Sequence, residues 1–250
     1  MQRHTNRKSR QDRREEKRSK GRQVTPKAYE ELKKPITPKN RFQKELLSLV
    51  NEKEVVFVNA PAGTGKTFVI MSTVIDWLKQ GKIEKIVLTR PTLGMGNSLG
   101  LLPGTIREKF EPFLQALIQV IQQRYGHGFF ETQLGCGNIE FVPLEYIRGR
   151  SFDNAVVIVD EFQNTDEDTA YTIMTRKGES SKLFCLGDIT QNDMRNRETG
   201  LEWAIEFIDR HELYDFADYV EATSEEIVRS PFCKAVVKAR ERDLKGGNLV

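Results

Sequence analysis

The segment "NAPAGTGKT", residues 59–67, constrains the fold of this chain more than any other. It follows the apolar run 55–58 and precedes a segment with helical periodicity at 66–80. Its pattern is that of a phosphate-binding loop, G-x-x-x-x-G-K-[ST], with Ala60 in place of the first glycine. Small residues let backbone N–H groups surround an oxyanion, and the start of the following helix adds partial positive charge. The segment therefore predicts a strand–loop–helix unit that binds nucleotide phosphates.

Two side chains of this loop have separate predicted roles. Lys66 can reach the β- and γ-phosphates of a nucleoside triphosphate, and the Thr67 hydroxyl can be a ligand of Mg²⁺. The predicted nucleotide-binding residues are therefore those of the loop and the residue that follows it: Ala60, Pro61, Ala62, Gly63, Thr64, Gly65, Lys66, Thr67 and Phe68.

The rest of the chain alternates between strand and helix patterns. Four apolar runs, "EVVFVN", "KIVLTR", "AVVIVDE" and "KLFCLGD", read as buried strands, and "NIEFVPLEYI" reads as extended. Thr105 and Glu108 form a capping-box pair at the start of a long helix that Pro112 can bend. This alternation predicts an α/β fold with a parallel sheet covered by helices on both faces. Further helices are predicted at 40–52, 66–80, 166–176, 199–210 and 231–243.

Charge divides the chain into two parts. Residues 1–34 hold 13 Lys and Arg against 5 Asp and Glu, a net charge of +8, whereas the remainder has a net charge of −5. The first part has few apolar residues and is predicted to be a flexible basic arm, and residues 35–250 to be one domain. The arm is either a solvated extension or a sequence-independent contact for nucleic-acid phosphates.

Several other classes of protein or site are disfavoured. No apolar run reaches the length of a membrane span, and the N-terminus lacks the apolar core of a signal peptide, so a cytoplasmic location is expected. Cys136, Cys185 and Cys233 lie far apart, which indicates reduced core residues rather than a zinc site, and the three histidines are scattered. The glycines at 94–100 do not have the spacing of a dinucleotide-binding fingerprint. They are expected to form a loop, which could contact a substrate.

An acidic pair ends the third strand pattern. Asp160 can hold Mg²⁺ through water, and Glu161 can act as the general base for an attacking water. The next strand pattern leads into "GDITQND", which places Asp188 and Gln191 where a strand ends. The Gln191 amide could hydrogen-bond the γ-phosphate or the attacking water, although an ordinary polar loop fits the spacing equally well.

For Gln43 and for four arginines, two interpretations remain open. Gln43 either belongs to a helix cap with Asn40 or recognises the edge of adenine, because its amide offers both a donor and an acceptor. Arg229 lies in "EEIVRSPF", just before a predicted helix. It is either a surface charge or a group that stabilises transition-state charge, in its own subunit or in a neighbour. The same two interpretations apply to Arg148, Arg150 and Arg176.

Several motifs together resemble the PhoH family of P-loop ATPases, a family named for phosphate starvation. They are "APAGTGKT", "LTRP", "LGLLPGTIREKFEPF", "IRGRSF", "VIVDEFQNT", "MTRKG", "GDITQND" and "EIVRSP", in residues 36–240. The resemblance implies a RecA-like sheet similar to the ATPase core of superfamily 1 helicases, with ATP and Mg²⁺ as ligands. It implies Asp160 and Glu161 as the Walker B pair, Gln43 near the adenine, Gln191 as the γ-phosphate sensor and Arg229 as the arginine of a late helicase motif. The implied catalytic set is Lys66, Glu161, Gln191 and Arg229.

The expected function is Mg²⁺-dependent ATP hydrolysis coupled to RNA or single-stranded DNA. The resemblance also implies a ring-shaped homo-oligomer, with a hexamer expected, in which Arg229 or Arg176 acts across an interface. The chain has room for one RecA-like core, so strand separation would need such an oligomer. Its compact form and basic arm resemble versions carried by bacteriophages, which would act in the host cytoplasm. The alternative is a binding protein that ATP switches without productive translocation.

Overall fold

The computed structural model describes residues 33–91, 105–191 and 198–246, without the side chains of 106 and 244–246. The chain divides into two units, Met1–Lys34 and Pro35–Val250. Most of the predicted basic arm, the glycine cluster at 94–100 and the "LGLLPG" motif lie outside the described residues. The arm therefore stays a prediction.

A sheet of parallel strands forms the centre of the second unit, in the order β3-β2-β4-β5-β1-β6. The four strands predicted from continuous apolar runs are confirmed, because these runs are buried between two layers of helices. The sequence patterns did not reveal β6, an edge strand in which buried and partly exposed residues are mixed. The strands are β1 (Val55–Asn59), β2 (Lys85–Thr89), β3 (Ile139–Phe141), β4 (Ala155–Val159), β5 (Lys182–Gly187) and β6 (Ala217–Glu221).

Helices cover both faces of this sheet, which confirms the predicted fold class. On one face, Phe57 and Cys185 share a buried cluster with Trp203 and Ile208. On the other face, the ring of Trp77 lies 6.4 Å from that of Phe184. The helices of the described residues are α1 (Arg41–Glu52), α2 (Lys66–Lys79), α3 (Ile106–Phe110), α4 (Gln115–Tyr125), α5 (His127–Gly135), α6 (Glu167–Met174), α7 (Gly200–His211) and α8 (Pro231–Gly246).

The long helix predicted after Thr105 is interrupted. The Thr105–Glu108 capping box is present at the start of α3, but a 3-10 turn, Glu111–Leu114, separates α3 from α4. Pro112 lies at the start of that turn, where its missing N–H and its ring disfavour a continuous α-helix. Helix α5 was not predicted, and the extended segment predicted after 138 becomes a 3-10 turn at Leu144–Tyr146.

The cysteine prediction is correct for only one of the three residues. Cys185 is buried in β5, where burial raises its pKa well above the ordinary value for a thiol. Cys136 is exposed and Cys233 is partly exposed, so neither is a core residue. Among the described helices, none is both long and apolar enough to cross a bilayer.

Strand order places three functional segments side by side. Strand β5 pairs with β1 on one side and with β4 on the other, and all three run in the same direction. Their carboxyl ends lead into the phosphate loop, Asp188 and the Asp160–Glu161 pair. Ligands of open α/β sheets bind at this edge, so the fold brings the predicted site residues together.

The first residue of α7 fixes the segment that follows the acidic pair. The Gly200 N–H donates to the Thr165 carbonyl at 2.6 Å. A Cβ added to Gly200 would lie 2.2 Å from Thr165 Oγ1 and 2.8 Å from the Asp166 carbonyl oxygen. This contact requires a residue without a side chain.

We expect Gly200→Ala to lower the free energy of unfolding by about 1–3 kcal/mol, because the added methyl group overpacks a closed contact. Gly128→Ala is the matched control, since a Cβ at this exposed helical position has no neighbour within 4 Å. It should be neutral or stabilise the fold by up to about 1 kcal/mol. Urea denaturation of both variants measures the difference, and equal stabilities would contradict the proposed close packing.

Candidate nucleotide site

The phosphate loop has a backbone that only its glycines readily adopt. Gly65 caps α2 with φ +90°, in the left-handed region. A Cβ on Gly65 would lie 2.6 Å from Gln43 Nε2, so a side chain here would also displace the Gln43 amide. Thr64 is buried, and its hydroxyl donates to the Pro61 carbonyl at 2.9 Å. These contacts hold the loop in a closed curve at the start of α2.

The Lys66 side chain is oriented by a hydrogen bond to the backbone of the phosphate loop. Its Nζ donates to the Ala60 carbonyl at 2.7 Å. Burial lowers the pKa of its ammonium group, and the negative charges of Asp160, Asp188 and Glu161 partly offset that effect. The charges of all three carboxylates therefore act on the loop lysine.

The acidic pair combines a buried carboxylate with a more accessible one. Asp160 is 6% exposed, and burial together with the nearby Glu161 raises its pKa to about 6, against the opposing charges of Lys66 and Arg90. Glu161 is partly exposed and has a left-handed backbone, φ 54° and ψ 42°. A non-glycine residue persists there only where its surroundings hold it, and such residues concentrate at functional sites.

The side chains present fit a magnesium ion. Mg²⁺ is usually held by one or two carboxylates together with substrate phosphates and water, rather than by a complete set of protein ligands. Asp160 supplies a buried carboxylate whose charge is only partly compensated, and Thr67 supplies a hydroxyl in the first turn of α2. Among the described residues, no group of three or more His, Cys, Asp or Glu forms a separate metal cluster.

The loop after β5 is organised around Asp188. One carboxylate oxygen of Asp188 accepts from the Thr190 N–H at 3.0 Å and from the Thr190 hydroxyl at 2.6 Å. The other accepts from Gln191 Nε2 at 2.6 Å. Gln191 therefore lies beside the charged cluster, where the sequence predicted it, with its amide nitrogen directed towards Asp188.

Gln43 has structural contacts at both ends of its amide. Its backbone N–H is the donor of the helix cap, to Asn40 Oδ1 at 2.9 Å. Its side-chain oxygen accepts from the Lys39 N–H at 2.9 Å, and its Nε2 donates to the Thr64 carbonyl at 2.8 Å. The side chain thus ties α1 to the phosphate loop. Contact with adenine stays a prediction.

The arginines occupy different places. Arg229 is exposed beside the phosphate loop: its Cβ would lie 3.2 Å from a Cβ on Gly63, and the neighbouring Val228 N–H donates to the Gly63 carbonyl at 3.0 Å. Arg150 has a structural partner, because it pairs with Glu140 at 2.9 Å.

The two remaining arginines have no such ion pair among the described contacts. Arg148 is exposed and lines a cavity of about 440 Å³ that Pro91 and Asn164 also line. Arg176 is partly buried, and its Nε makes no hydrogen bond with the described residues.

A second cavity, of about 600 Å³, lies between Glu161 of the acidic pair and helix α8. Its described lining includes Arg90 and Arg240 but not Arg229. Sequence reasoning gave no role to these two arginines; Arg90 was visible within "LTRP", whereas nothing in the pattern of α8 marks Arg240. The described lining residues are Arg90, Glu161, Asn164, Asp188, Thr190, Gln191, Val236, Val237, Arg240 and Glu241.

Phe68 is 46% exposed in the first turn of α2, although it is large and apolar. It directly follows the loop residues predicted to contact the nucleotide. An exposed aromatic ring in this place is available to a ligand, and the assignment of Phe68 to the nucleotide-binding set stays a prediction.

Comparison with solved structures agrees with this architecture. The large terminase of a thermophilic bacteriophage has a TM-score of 0.50 to this chain and is 14% identical. The match covers 82% of this chain and 50% of the terminase chain. At this identity the likeness concerns the fold alone.

Sequence comparison identifies the family. Residues 35–241 match the model of the PhoH-like protein family. The chain is 36% identical to the PhoH-like protein of Bacillus subtilis over 210 residues, covering 84% of this chain and 65% of that protein. It is 36% identical to Protein PhoH of Escherichia coli over 208 residues, covering 82% and 58%. The chain spans about three fifths of the length of these curated relatives, and it belongs to the PhoH-like family.

Proposed function

We propose that this protein hydrolyses ATP in a reaction that depends on Mg²⁺. The observation that carries the proposal is that the loop with Lys66, the Asp160–Glu161 pair and Asp188 follow three adjacent parallel strands at the carboxyl edge of the sheet. A cation on a phosphate loop beside a metal-binding carboxylate and a second, more accessible carboxylate is the arrangement that phosphoryl transfer to water requires.

The chain's own residues divide this work between them. The loop and the start of α2 bind the phosphates, and Lys66 neutralises charge on the β- and γ-oxygens. Asp160 and Thr67 would hold Mg²⁺, which supplies further neutralisation of phosphate charge. Glu161 accepts a proton from the attacking water as the water oxygen bonds to the γ-phosphorus and the bond to the β,γ-bridging oxygen breaks. ADP and phosphate are the products.

Removing either Lys66 or Glu161 tests this assignment. We expect Lys66→Ala to weaken ATP binding and to lower turnover at least about 100-fold, because the charge on the phosphates loses its partner. We expect Glu161→Gln to lower turnover about 100-fold or more while ATP still binds, because general-base catalysis is lost. Steady-state phosphate release and calorimetric ATP binding measure both effects.

Two exposed positions serve as matched controls. Lys44 lies on α1 and Glu206 on α7, and both side chains are exposed. Lys44→Ala and Glu206→Gln should retain wild-type turnover. Normal turnover in Lys66→Ala or Glu161→Gln would exclude the proposed site.

We further propose that hydrolysis is coupled to RNA or single-stranded DNA. The support is the cavity of about 440 Å³, which combines apolar walls from Leu144 and Ile173 with Arg148 and hydrogen-bonding side chains. Such a mixture suits an unstacked nucleobase beside a backbone phosphate. Asn164 lines both this cavity and the one that holds Glu161, so a ligand here would lie next to the hydrolytic groups.

Arg148→Ala tests that coupling. We expect single-stranded RNA or DNA to stimulate ATP turnover of the wild type, and Arg148→Ala to lower the ratio of stimulated to unstimulated turnover several-fold. Arg210→Ala is the control, because Arg210 is an exposed arginine of α7 that lines neither cavity. ATP turnover that no nucleic acid changes would favour the alternative of an ATP-switched binding protein.

We propose that the active form is a homo-oligomeric ring in which Arg229 contacts the nucleotide of a neighbouring subunit. The support is the exposed position of Arg229 beside the phosphate loop, outside the cavity that Glu161 lines.

Mixing two inactive variants tests action between subunits. Arg229→Ala should lower turnover, and Lys66→Ala should lack a working site of its own. Mixed oligomers of the two should recover part of the activity, because intact sites then receive Arg229 from Lys66→Ala subunits. Light scattering with ATP gives the subunit number. A strictly monomeric protein, or mixtures without recovery, would rule out this arrangement.

A further inference from the structure

Gln163 joins the proposed general base to the loop that carries the proposed sensor. Its side chain is 0% exposed, in the 3-10 turn Phe162–Asn164. Its Nε2 donates to Glu161 Oε2 at 2.6 Å, and its Oε1 accepts from the Asp188 N–H at 3.1 Å. We propose that Gln163 is the positioning residue that orients the Glu161 carboxylate for hydrolysis, an inference that rests on the proposed ATPase function.

The two groups that Gln163 bridges demand opposite hydrogen-bonding partners. The ionised Glu161 carboxylate can only accept a hydrogen bond, and the Asp188 N–H can only donate one. A primary amide offers a donor at one end and an acceptor at the other, so a glutamine satisfies both. A glutamate in its place would satisfy Asp188 but repel Glu161.

The surroundings hold this amide in place. A Cβ on Gly187 would lie 2.8 Å from Gln163 Oε1 and 3.1 Å from the Gln163 backbone nitrogen, so a side chain at residue 187 would displace the amide from its present position. The left-handed backbone of Glu161 lies directly before the 3-10 turn that carries Gln163. The amide is thus enclosed, and its hydrogen bonds fix one carboxylate oxygen of the base.

The bridge continues to the phosphate loop. The carbonyl of Gly187, in the same peptide unit as the Asp188 N–H, accepts from the Ala60 N–H at 3.0 Å. The Ala60 carbonyl in turn accepts from Lys66 Nζ at 2.7 Å. These hydrogen bonds, joined through the backbone of Ala60, therefore help to fix the position of Glu161 relative to Lys66. Misplacing a catalytic group by about 1 Å can cost about 100-fold in rate.

Two substitutions separate orientation of the base from simple packing. Gln163→Glu keeps the side-chain length and the acceptor for the Asp188 N–H, but it replaces the donor to Glu161 with a like charge. Gln163→Met keeps the approximate volume and adds no charge, but it removes both hydrogen bonds. We expect both variants to lower kcat about 10- to 100-fold, while ATP affinity changes less than about twofold.

A double-mutant cycle gives the decisive measurement. Single-turnover ATP hydrolysis is measured for the wild type, Gln163→Met, Glu161→Gln and the double variant, each at a temperature well below its thermal transition. If Gln163 acts through Glu161, the Gln163→Met change should cost little once Glu161 is already Gln, because residues that act as a unit are not additive.

The outcomes separate failure of the positioning role of Gln163 from failure of the proposed ATPase function. Additive losses, normal kcat in either single variant, or a loss confined to ATP affinity would each overturn the positioning role while leaving Lys66- and Glu161-dependent hydrolysis intact. Absence of ATP hydrolysis in the wild type would instead overturn the proposed function and this inference together.

Discussion

The pairing of β5 between β1 and β4 is the constraint on which the site depends. Each parallel ladder fixes the height of the strand ends, so the phosphate loop, Asp188 and the Asp160–Glu161 pair emerge at one edge of the sheet. The hydrogen bond from the Ala60 N–H to the Gly187 carbonyl extends this ladder into the loop itself. A shift of β1 or β4 along β5 would separate Lys66 from the carboxylates. The buried core of the sheet therefore determines the geometry of the site, rather than any surface contact.

Sequence patterns were sufficient for the parts of this structure that depend on neighbouring residues. The loop, the acidic pair and the four central strands follow from local spacing and continuous apolar runs. Strand β6 was missed because an edge strand is buried only in part, so its pattern has no continuous apolar run. The contact of Gln163 with Asp188 and the place of Arg240 in a cavity lining were not predicted, because they depend on segments far apart in the chain, which no local pattern encodes.

Burial explains why the charged groups of the site interact strongly. At a surface, charges a few ångströms apart are screened by water, whereas partial exclusion of water strengthens their effect on one another. Asp160 is an example. Desolvation and the charge of Glu161 raise its pKa, and the charges of Lys66 and Arg90 oppose that change. A divalent cation would stabilise the ionised form further, which is the electrostatic reason for assigning Mg²⁺ to this carboxylate.

Three side chains of the candidate site, those of Lys66, Gln191 and Glu161, are each oriented by a hydrogen bond that uses only part of their donor or acceptor capacity. Lys66 has three ammonium protons and gives one to the Ala60 carbonyl. Gln191 has two amide protons and gives one to Asp188, and Glu161 has two carboxylate oxygens and offers one to Gln163. Within residues 33–91, 105–191 and 198–246, the side chain of each group is thus oriented by one of these hydrogen bonds, which leaves further donors or acceptors for phosphate or water. In the proposed hydrolysis, such preorganisation would reduce the reorganisation needed during the reaction. The residues that supply the internal hydrogen bonds would then matter as much to the geometry as the groups that meet ATP.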